Sequence, residues 1–388
     1  MLISTPAIVQ FARFPLCIAL LFPIFAPCTS LAANNDLSIK IRLQRRLDLG
    51  PITPSADRTT YASGQDAYLR RVRLEIIGRP RLSKMGASHS DTAPRLHYIV
   101  AFSADRWDQQ GKTPAVILGY ALINYRFTPA LNLQFGLAKL PYSRGLLASS
   151  SRLLLPERAA ISDLAGRFYK YFAPHLVLHG KLAAGTLAYH LTLTEGLQPG
   201  DSDRAFSGQT VLNTGTPVTA LRLEFSPPSW IEKRQSDAHL GTGRHLTLGF
   251  NTAYQGNLEL TNLPPERRLL LGTDLSFHHQ SLSLGAEYLF MQRDNTTRTE
   301  TTGWYAQAGY FINSHHLEPA FRLGRIIQDS NTPNTQTRIF TAGLNWYIDS
   351  HNLKFQTTLT HHLFDKNARE VTNKDSKTTL QIQNQLYF

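Results

Sequence analysis

The last eleven residues of the chain alternate between apolar and polar side chains. Leu380, Ile382, Leu386 and Phe388 fall on one face of a two-residue period, and hydroxyl or amide side chains occupy the other face. This pattern predicts a strand with one apolar and one hydrogen-bonding face. A chain that ends on such a strand is typical of a β-barrel in a membrane, where the last strand pairs with the first and leaves no edge unpaired in hydrocarbon. The alternative is an edge strand of a soluble β-sandwich.

Fifteen earlier segments show similar alternation, and turn-forming residues separate them. In the first, Leu37–Leu43, four aliphatic residues alternate with Ser38, Lys40 and Arg42. We therefore expect an all-β protein, a transmembrane antiparallel β-barrel of about 16 strands. The predicted strands are 37–43, 68–78, 96–103, 115–127, 131–140, 175–181, 187–195, 218–225, 245–254, 269–277, 281–291, 303–312, 317–327, 338–348, 352–360 and 378–388.

The linkers between these segments are alternately short and long, as expected for an up-and-down barrel with short periplasmic turns. The short, inner turns are predicted at 128–130, 183–185, 279–280, 313–316 and 349–351. Two further inner turns, 79–95 and 226–244, are longer than this pattern requires. The strand count could differ at those two places.

The N-terminus has the features of a secretory signal peptide over residues 1–32. Arg13 precedes an apolar run, Phe14–Ala26, and Ser30-Leu31-Ala32 provides small residues for cleavage. The run contains two prolines and is too short to span a bilayer. Cys28 would also suit a lipoprotein, although Pro27 fits that signal poorly. Cleavage would leave residues 33–388 as the barrel domain without any cysteine, so no disulfide or thiolate metal site is expected.

The formal net charge is +12, and it becomes +11 when Arg13 is removed with the signal peptide. Such an excess suits nucleic acid, an anionic membrane surface or small anions. Export argues against nucleic acid, and the basic residues are spread along the chain. We therefore expect a charged surface or lumen made from many strands, in the outer membrane of a Gram-negative bacterium.

Residues 141–174 form the longest linker, and a loop of this length is usually functional. The lumen of a sixteen-stranded barrel is too wide for wall side chains to fill. We predict that this linker folds inward as a constriction loop.

Alternation places a set of basic side chains in the lumen, where rings of arginine and lysine favour anions. From the wall these are Lys40, Arg42, Arg71, Arg73, Arg222, Arg322 and Lys354, partly offset by Glu75, Glu224 and Glu318. From the loop they are Lys139, Arg144, Arg152, Arg158 and Arg167. Arginine suits this role because its planar fork binds oxyanions in pairs and keeps its charge. The alternatives are wall arginines that only pair with glutamates, and loop arginines that bind lipopolysaccharide phosphates.

Other candidate chemistry is weaker. Aromatic residues near strand ends suggest an interfacial girdle or ordinary strand aromatics: Tyr120, Tyr125, Trp304, Tyr305, Tyr310, Trp346 and Tyr347. The histidine pairs at 278–279, 315–316 and 361–362 offer at most one ligand to either face of a strand, so we expect no metal site and no cofactor. The chain has no nucleophile elbow, zincin, Walker or dinucleotide motif, so we expect no enzyme.

Several motifs together resemble the phosphate-selective porin O and P family. They are Tyr68–Leu74 with its paired arginines, Phe135–Tyr142, Ser149–Arg152 followed by Pro156–Ala159, Trp304–Tyr310, Leu317–Pro319, Gly343–Tyr347 and His351–Lys354. This resemblance implies a sixteen-stranded barrel, usually trimeric, that passes anions by diffusion. The dense arginine ladder of the phosphate-specific members has no residue-by-residue match here, so phosphate itself is not implied.

The sequence as a whole predicts a passive outer-membrane channel biased toward anions, with phosphate or another oxyanion as a candidate solute. The partners expected are small anions, outer-membrane lipid and lipopolysaccharide, and two further copies of the chain. Two other functions stay open: a hydrolase carried on the barrel, and a plugged barrel that serves as an adhesin or scaffold.

Overall fold

The computed structural model describes residues 37–51, 63–80, 95–107, 115–169, 172–195, 212–232, 235–260, 264–369 and 374–388. The predicted signal peptide lies outside these residues. Two short helices, α1 (Arg144–Leu147) and α2 (Ala160–Phe168), lie between β5 and β6. The strands are β1 Leu37–Pro51, β2 Ser63–Gly78, β3 Leu96–Trp107, β4 Ile117–Thr128, β5 Leu131–Lys139, β6 Phe172–Leu182, β7 Leu187–Thr194, β8 Leu212–Gly215, β9 Val218–Phe225, β10 Arg244–Leu260, β11 Glu266–His279, β12 Leu282–Asp294, β13 Arg298–Tyr310, β14 Leu317–Ile327, β15 Gln336–Asp349, β16 Leu353–Phe364 and β17 Ser376–Tyr387.

The sheet closes on itself. Apart from the short β8, strands adjacent in sequence pair antiparallel, and β7 pairs with β9. β1 pairs with β2 on one side and with β17 on the other. β8 and β9 both pair with β10 and follow each other closely, so they form one strand of a sixteen-stranded wall. Ile41 and the C-terminal Phe388 exchange backbone hydrogen bonds of 2.7 and 3.1 Å. The predicted barrel and the predicted pairing of its last strand with its first are therefore confirmed.

The two long inner turns do not change this count. β2 pairs directly with β3, and β9 pairs directly with β10. Residues 81–94 of the first turn lie outside the described residues, and the described part of 226–243 contains no strand. We call the end of the barrel that carries these turns the inner end. At the opposite end the linkers are mostly longer, apart from the tight turn at 295–297 between β12 and β13.

The burial pattern is the reverse of that in a water-soluble protein. In β1, Leu37 and Ile39 are 51% and 59% exposed, whereas Arg42 and Gln44 are 4% and 0% exposed. The same inversion recurs around the wall, where leucine, isoleucine and phenylalanine dominate the exposed apolar residues. An apolar outer face and a polar inner face suit a barrel surrounded by lipid. No helix within the described ranges has both the length and the apolar character needed to cross a membrane.

A β-bulge interrupts the pairing of β1 with β2. Gln44 pairs with Arg71 and Arg45 pairs with Leu69, so Arg70 is the extra residue. A bulge shifts the alternation by one residue and turns neighbouring side chains to the same face. Arg70 and Arg71 are accordingly both buried, at 7% and 2% exposure. Simple alternation predicts only Arg71 and Arg73 for the lumen and therefore misses Arg70.

We expect Gly136→Ala to destabilise the barrel by roughly 3 kcal/mol, because the backbone conformation at Gly136 and its close neighbour in β4 leave no room for a Cβ atom. Gly136 has φ +123°, and a Cβ would lie 2.1 Å from the carbonyl oxygen of Ala121 in β4. Urea unfolding of the detergent-solubilised protein would measure the change. Gly285→Ala is the control, because a Cβ there meets only the flexible side chain of Gln307 at 3.2 Å. Equal losses in the two variants would contradict this explanation.

Candidate functional site

Residues 140–171 connect β5 to β6 and nearly coincide with the predicted loop 141–174. The base of this loop is closed by Tyr142, whose hydroxyl donates to the carbonyl oxygen of Tyr169 at 2.8 Å. Ser143 caps α1 by accepting a hydrogen bond of 3.3 Å from the backbone N–H of Leu146. The loop thus leaves and rejoins the wall through a fixed, buried base.

Helix α2 packs on an apolar patch of the polar wall. Ile161 and Ala165 are buried against Leu270, Leu289 and Met291 of β11 and β12. These wall residues point inward, where the neighbouring positions carry charged or polar groups such as Arg268 and Asp274. Burial of an aliphatic side chain contributes about 1.5–3 kcal/mol, so the patch fixes the helix against this side of the barrel.

The middle of the loop lies against the polar faces of β15, β16 and β17. Leu153, Leu154 and Leu155 are each 1% exposed, and wall side chains bind their backbone. Asn345 donates to the carbonyl oxygen of Leu154 at 2.8 Å, and Gln385 donates to that of Ser151 at 3.1 Å. These amides satisfy carbonyls that would otherwise be buried without partners.

The loop also contacts the linker 226–243 at the inner end. Arg144 binds both carboxylate oxygens of Glu232, each at 2.9 Å. The backbone carbonyl of Arg152 accepts hydrogen bonds from the N–H groups of Asp237 and Ala238, both at 3.2 Å. Burial alone would lower the pKa of Arg144, but Glu232 outweighs this and raises it, so the guanidinium stays charged. The guanidinium of Arg144 is therefore bound to the linker.

Three arginines surround the carboxylate of Glu157. Arg70 binds it with two hydrogen bonds of 2.6 and 3.0 Å, Arg71 lies 3.4 Å from Oε2, and Arg46 also contacts Oε1. Arg322 donates to the backbone carbonyl of the same residue at 2.9 Å. Burial would raise the pKa of Glu157, but the three arginines outweigh it and hold the pKa well below its usual range. One negative charge therefore faces three positive charges.

Two predicted loop residues, Lys139 and Arg158, stabilise α1. Lys139 donates to the carbonyl oxygens of Leu146, Leu147 and Ala148 at 2.9–3.2 Å. Arg158 donates to those of Gly145 and Ala148, both at 2.8 Å. Cations at a helix C-terminus satisfy its free carbonyls, so both side chains also have a structural role.

Three predicted wall arginines form ion pairs with acidic residues of the wall, as one alternative anticipated. Arg42 lies 3.3 Å from Oε1 of Glu75. Arg222 is fully buried and binds Asp274 at 2.7 and 3.0 Å, with Glu224 at 2.8 Å. Arg73 binds Asp105 at 3.0 Å. An arginine whose guanidinium group is bound to a carboxylate has fewer N–H donors available for a solute.

The aromatic girdle needs correction at two positions. Tyr305 and Tyr347 are 6% and 2% exposed and lie on the inner face, where Tyr347 donates to Glu318 and Tyr305 packs under Arg322. Their neighbours Trp304 and Trp346 are 39% and 49% exposed on the outer face. Adjacent strand residues point to opposite faces, so a Trp-Tyr pair cannot place both rings in the girdle.

A cavity of about 250 Å³ lies between the loop and the inner face of the wall. Its charged and amide lining includes Asp48, Glu157, Arg158, Arg322, Lys377 and Gln381. A second cavity of about 480 Å³ lies near the inner end, and its lining includes Arg126, His179, Lys181, His190, Glu224 and Gln235. Both cavities offer charged groups of either sign to a polar solute.

Arg46, Arg70 and the central role of Glu157 were not predicted from the sequence. A local signal existed for Arg46, because the alternation of β1 continues past Leu43 through Gln44, Arg46 and Asp48. Arg70 had no such signal, since the bulge that turns it inward depends on pairing with β1. Glu157 was identified only as part of a family motif.

Comparison with known proteins agrees with this architecture. The model of the family "Phosphate-selective porin O and P" matches residues 39–388. An uncharacterized protein of Aquifex aeolicus (strain VF5) is 32% identical over 316 residues, which cover 76% of this chain and 74% of that protein.

Solved porin structures share the fold at low sequence identity. An anion-selective porin from Comamonas acidovorans superposes with a TM-score of 0.63 at 10% identity, covering 91% of this chain and 99% of that chain. OmpT of Vibrio cholerae, an outer-membrane protein in its trimer form, superposes with a TM-score of 0.56 at 9% identity, covering 91% and 99%. The closed sixteen-stranded wall and the nearly complete family match lead to one conclusion: the chain belongs to the phosphate-selective porin O and P family and is an outer-membrane channel.

Proposed function

We propose that the chain is a passive diffusion channel biased toward anions. The observation that carries this proposal is the cluster of Arg46, Arg70 and Arg71, which share the carboxylate of Glu157. Asp105 lies 3.9 Å from Arg70, but it is bound by Arg73 at 3.0 Å, so that pair adds no net charge. This leaves an excess of two positive charges on the wall where the loop approaches it. Glu157 also lines the 250 Å³ cavity, so a solute in that cavity would experience the excess charge.

A fixed positive charge lowers the free energy of an anion that leaves bulk water to enter a narrow passage. The effect is larger beside a protein wall than in free solution, because low-dielectric walls focus the field. Conduction also requires that each contact be weak enough to release the ion. Arginines held by a carboxylate meet this condition, since their donors are partly occupied while their net charge still acts on the passage.

An oxyanion such as phosphate is the solute class that we propose within this function. Guanidinium forks match the paired oxygens of oxyanions better than they match a halide. The family description points the same way, and the Comamonas porin is described as anion-selective. The ion pairs of Arg73 with Asp105 and of Arg222 with Asp274 make this preference weaker than a continuous ladder of unpaired arginines would.

We further propose that the loop 140–171 acts as the constriction and that the channel is a homotrimer, as in the trimer form of OmpT. Lipid and lipopolysaccharide would surround the outer face. The proposed channel function involves no nucleic acid, no cofactor and no catalysis.

The zero-current potential of the purified protein in a planar bilayer under a KCl gradient tests the anion preference. We expect a chloride-favouring potential, and we expect added phosphate to reduce the chloride current. A potassium-favouring potential would overturn the proposal. A complete lack of conductance would support the plugged adhesin or scaffold, and ester or lipid hydrolysis by the purified barrel would support the hydrolase.

A further inference from the structure

Three histidines meet at the inner end of the barrel. His245 in β10 is the direct pairing partner of His278 in β11, and both are buried. His239 comes from the linker 226–243, and its ring centroid lies 4.4 Å from that of His245 and 4.5 Å from that of His278. The linker is thus packed against the wall through imidazole rings.

A carboxylate completes this cluster. Oε1 of Glu232, also in the linker, lies 4.0 Å from Nε2 of His239 and 4.0 Å from Nε2 of His245. The ligand atoms of Glu232, His239 and His245 all lie within 4.8 Å of one another. Within the described residues, this is the group whose histidine and carboxylate atoms converge closely enough to hold an ion.

We propose that Glu232, His239 and His245 bind a transition-metal ion of the Zn²⁺ class and thereby join the linker to the barrel wall. Two imidazoles and one carboxylate are a donor set suited to Zn²⁺, with Cu²⁺ and Ni²⁺ as competitors. Metal–ligand distances of about 2.0–2.2 Å place the ligand atoms of a tetrahedral site about 3.3–3.5 Å apart. Glu232 therefore needs to approach each histidine by roughly half an ångström, and the two histidine nitrogens need to approach each other by at most about 1.4 Å. A solvent molecule would take the fourth position.

Existing contacts determine how tightly the ion binds. His239 Nε2 lies 2.9 Å from the carbonyl oxygen of Ser236, and His245 Nε2 lies 2.7 Å from the hydroxyl of Ser276. Binding through these nitrogens would replace both hydrogen bonds. Glu232 would be shared with Arg144, which already binds both its oxygens and fixes its orientation.

The local charge also limits the affinity. Arg144 adds a positive charge next to the ion, although Asp237 and Asp274 lie close enough to interact favourably with Arg144. We therefore expect micromolar rather than nanomolar binding. Because Glu232 and His239 both belong to the linker and His245 belongs to β10, the bound ion would restrain the linker across the inner end of the barrel. This assignment revises the expectation of no metal site, which considered only adjacent histidines on one strand.

Isothermal titration calorimetry of the purified barrel in detergent with zinc sulfate tests the proposal. We expect one ion per chain, and we expect His239→Gln combined with His245→Gln to weaken binding at least tenfold. Removal of the exposed turn pair, by His315→Gln combined with His316→Gln, is the matched control and should leave binding unchanged. Unaltered binding in the first variant, or an equal loss in the control, would overturn the proposal.

A second measurement uses the unmodified protein, so it does not depend on whether the histidine variants fold. Addition of Co²⁺ to the unmodified protein should give the visible absorption of a tetrahedral nitrogen–oxygen site, and equimolar Zn²⁺ should remove it. Glu232→Gln should weaken this signal while the protein still runs as a heat-modifiable barrel on gels. Absorption typical of hexa-aqua or surface-bound cobalt alone would overturn the assignment.

Discussion

Replacing Arg70 and Arg71 with glutamine is expected to lower the anion-to-cation permeability ratio of the channel about thirtyfold. The change leaves Arg46 paired with Glu157, so the cluster goes from an excess of two positive charges to neutral. A unit charge about 8 Å from a passing ion contributes about 1 kcal/mol at an effective dielectric constant of ~40. Two charges therefore contribute about 2 kcal/mol, and 1.4 kcal/mol corresponds to a factor of ten. Zero-current potentials in a KCl gradient would measure the ratio.

A matched control distinguishes the effect of charge in the lumen from the effect of the total charge of the protein. Arg267 and Arg338 are exposed, and replacing both with glutamine removes the same two charges. That variant should keep the original permeability ratio. The opposite change, Glu157→Gln, should raise the anion preference, because the three arginines would lose the carboxylate that they share and, among the described carboxylates, Arg70 would keep only its 3.9 Å contact with Asp105. If the Arg70 and Arg71 variant kept its selectivity, or if the control lost as much, the cluster would not determine ion preference.

Removing the loop should raise the single-channel conductance several-fold. The variant replaces residues 143–168 with a short Gly-Ser linker and keeps Tyr142 and Tyr169, which close the base of the loop. It removes α2, the buried leucines and the contacts to the linker, all of which lie against the inner face of the wall. A wider passage should also admit larger neutral sugars in liposome-swelling assays.

Shortening the exposed outer turn 330–334 is the control for this deletion, because its five residues lie outside the packed interior. Conductance should then be unchanged. An unchanged conductance in the folded loop deletion would show that the loop does not constrict the path. It would favour a route through the inner-end cavity, with the linker 226–243 as the limiting segment.

Where a strand is regular, the alternation of its residues correctly predicts which side chains are buried on the inner face of the wall. Alternation placed Arg42, Arg71 and Arg222 on the inner face, and all three are buried there. It failed at Arg70 because a bulge depends on the neighbouring strand. It also failed for Leu270 and Met291, which are apolar residues on the polar face, since their burial requires α2 to pack on them.

The partners of the predicted basic residues could not be read from the sequence. Arg144 is separated from Glu232 by 88 residues, and Arg70 is separated from Glu157 by 87. Such contacts depend on the path of the loop through the barrel and on the register of strands far away in the chain. The histidine cluster was missed for the same reason, because the linker brings His239 onto two strands.

Residue alternation and linker lengths were enough to predict a closed barrel with an apolar exterior, a polar interior and one long linker after β5. Strand alternation and turn spacing are local properties, and a membrane requires every backbone edge to be paired. Three features became evident only from the folded chain: which charges neutralise one another, where α2 packs and which side chains meet at the inner end. Those outcomes depend on long-range distances, and electrostatic and packing energies change steeply over a few ångströms.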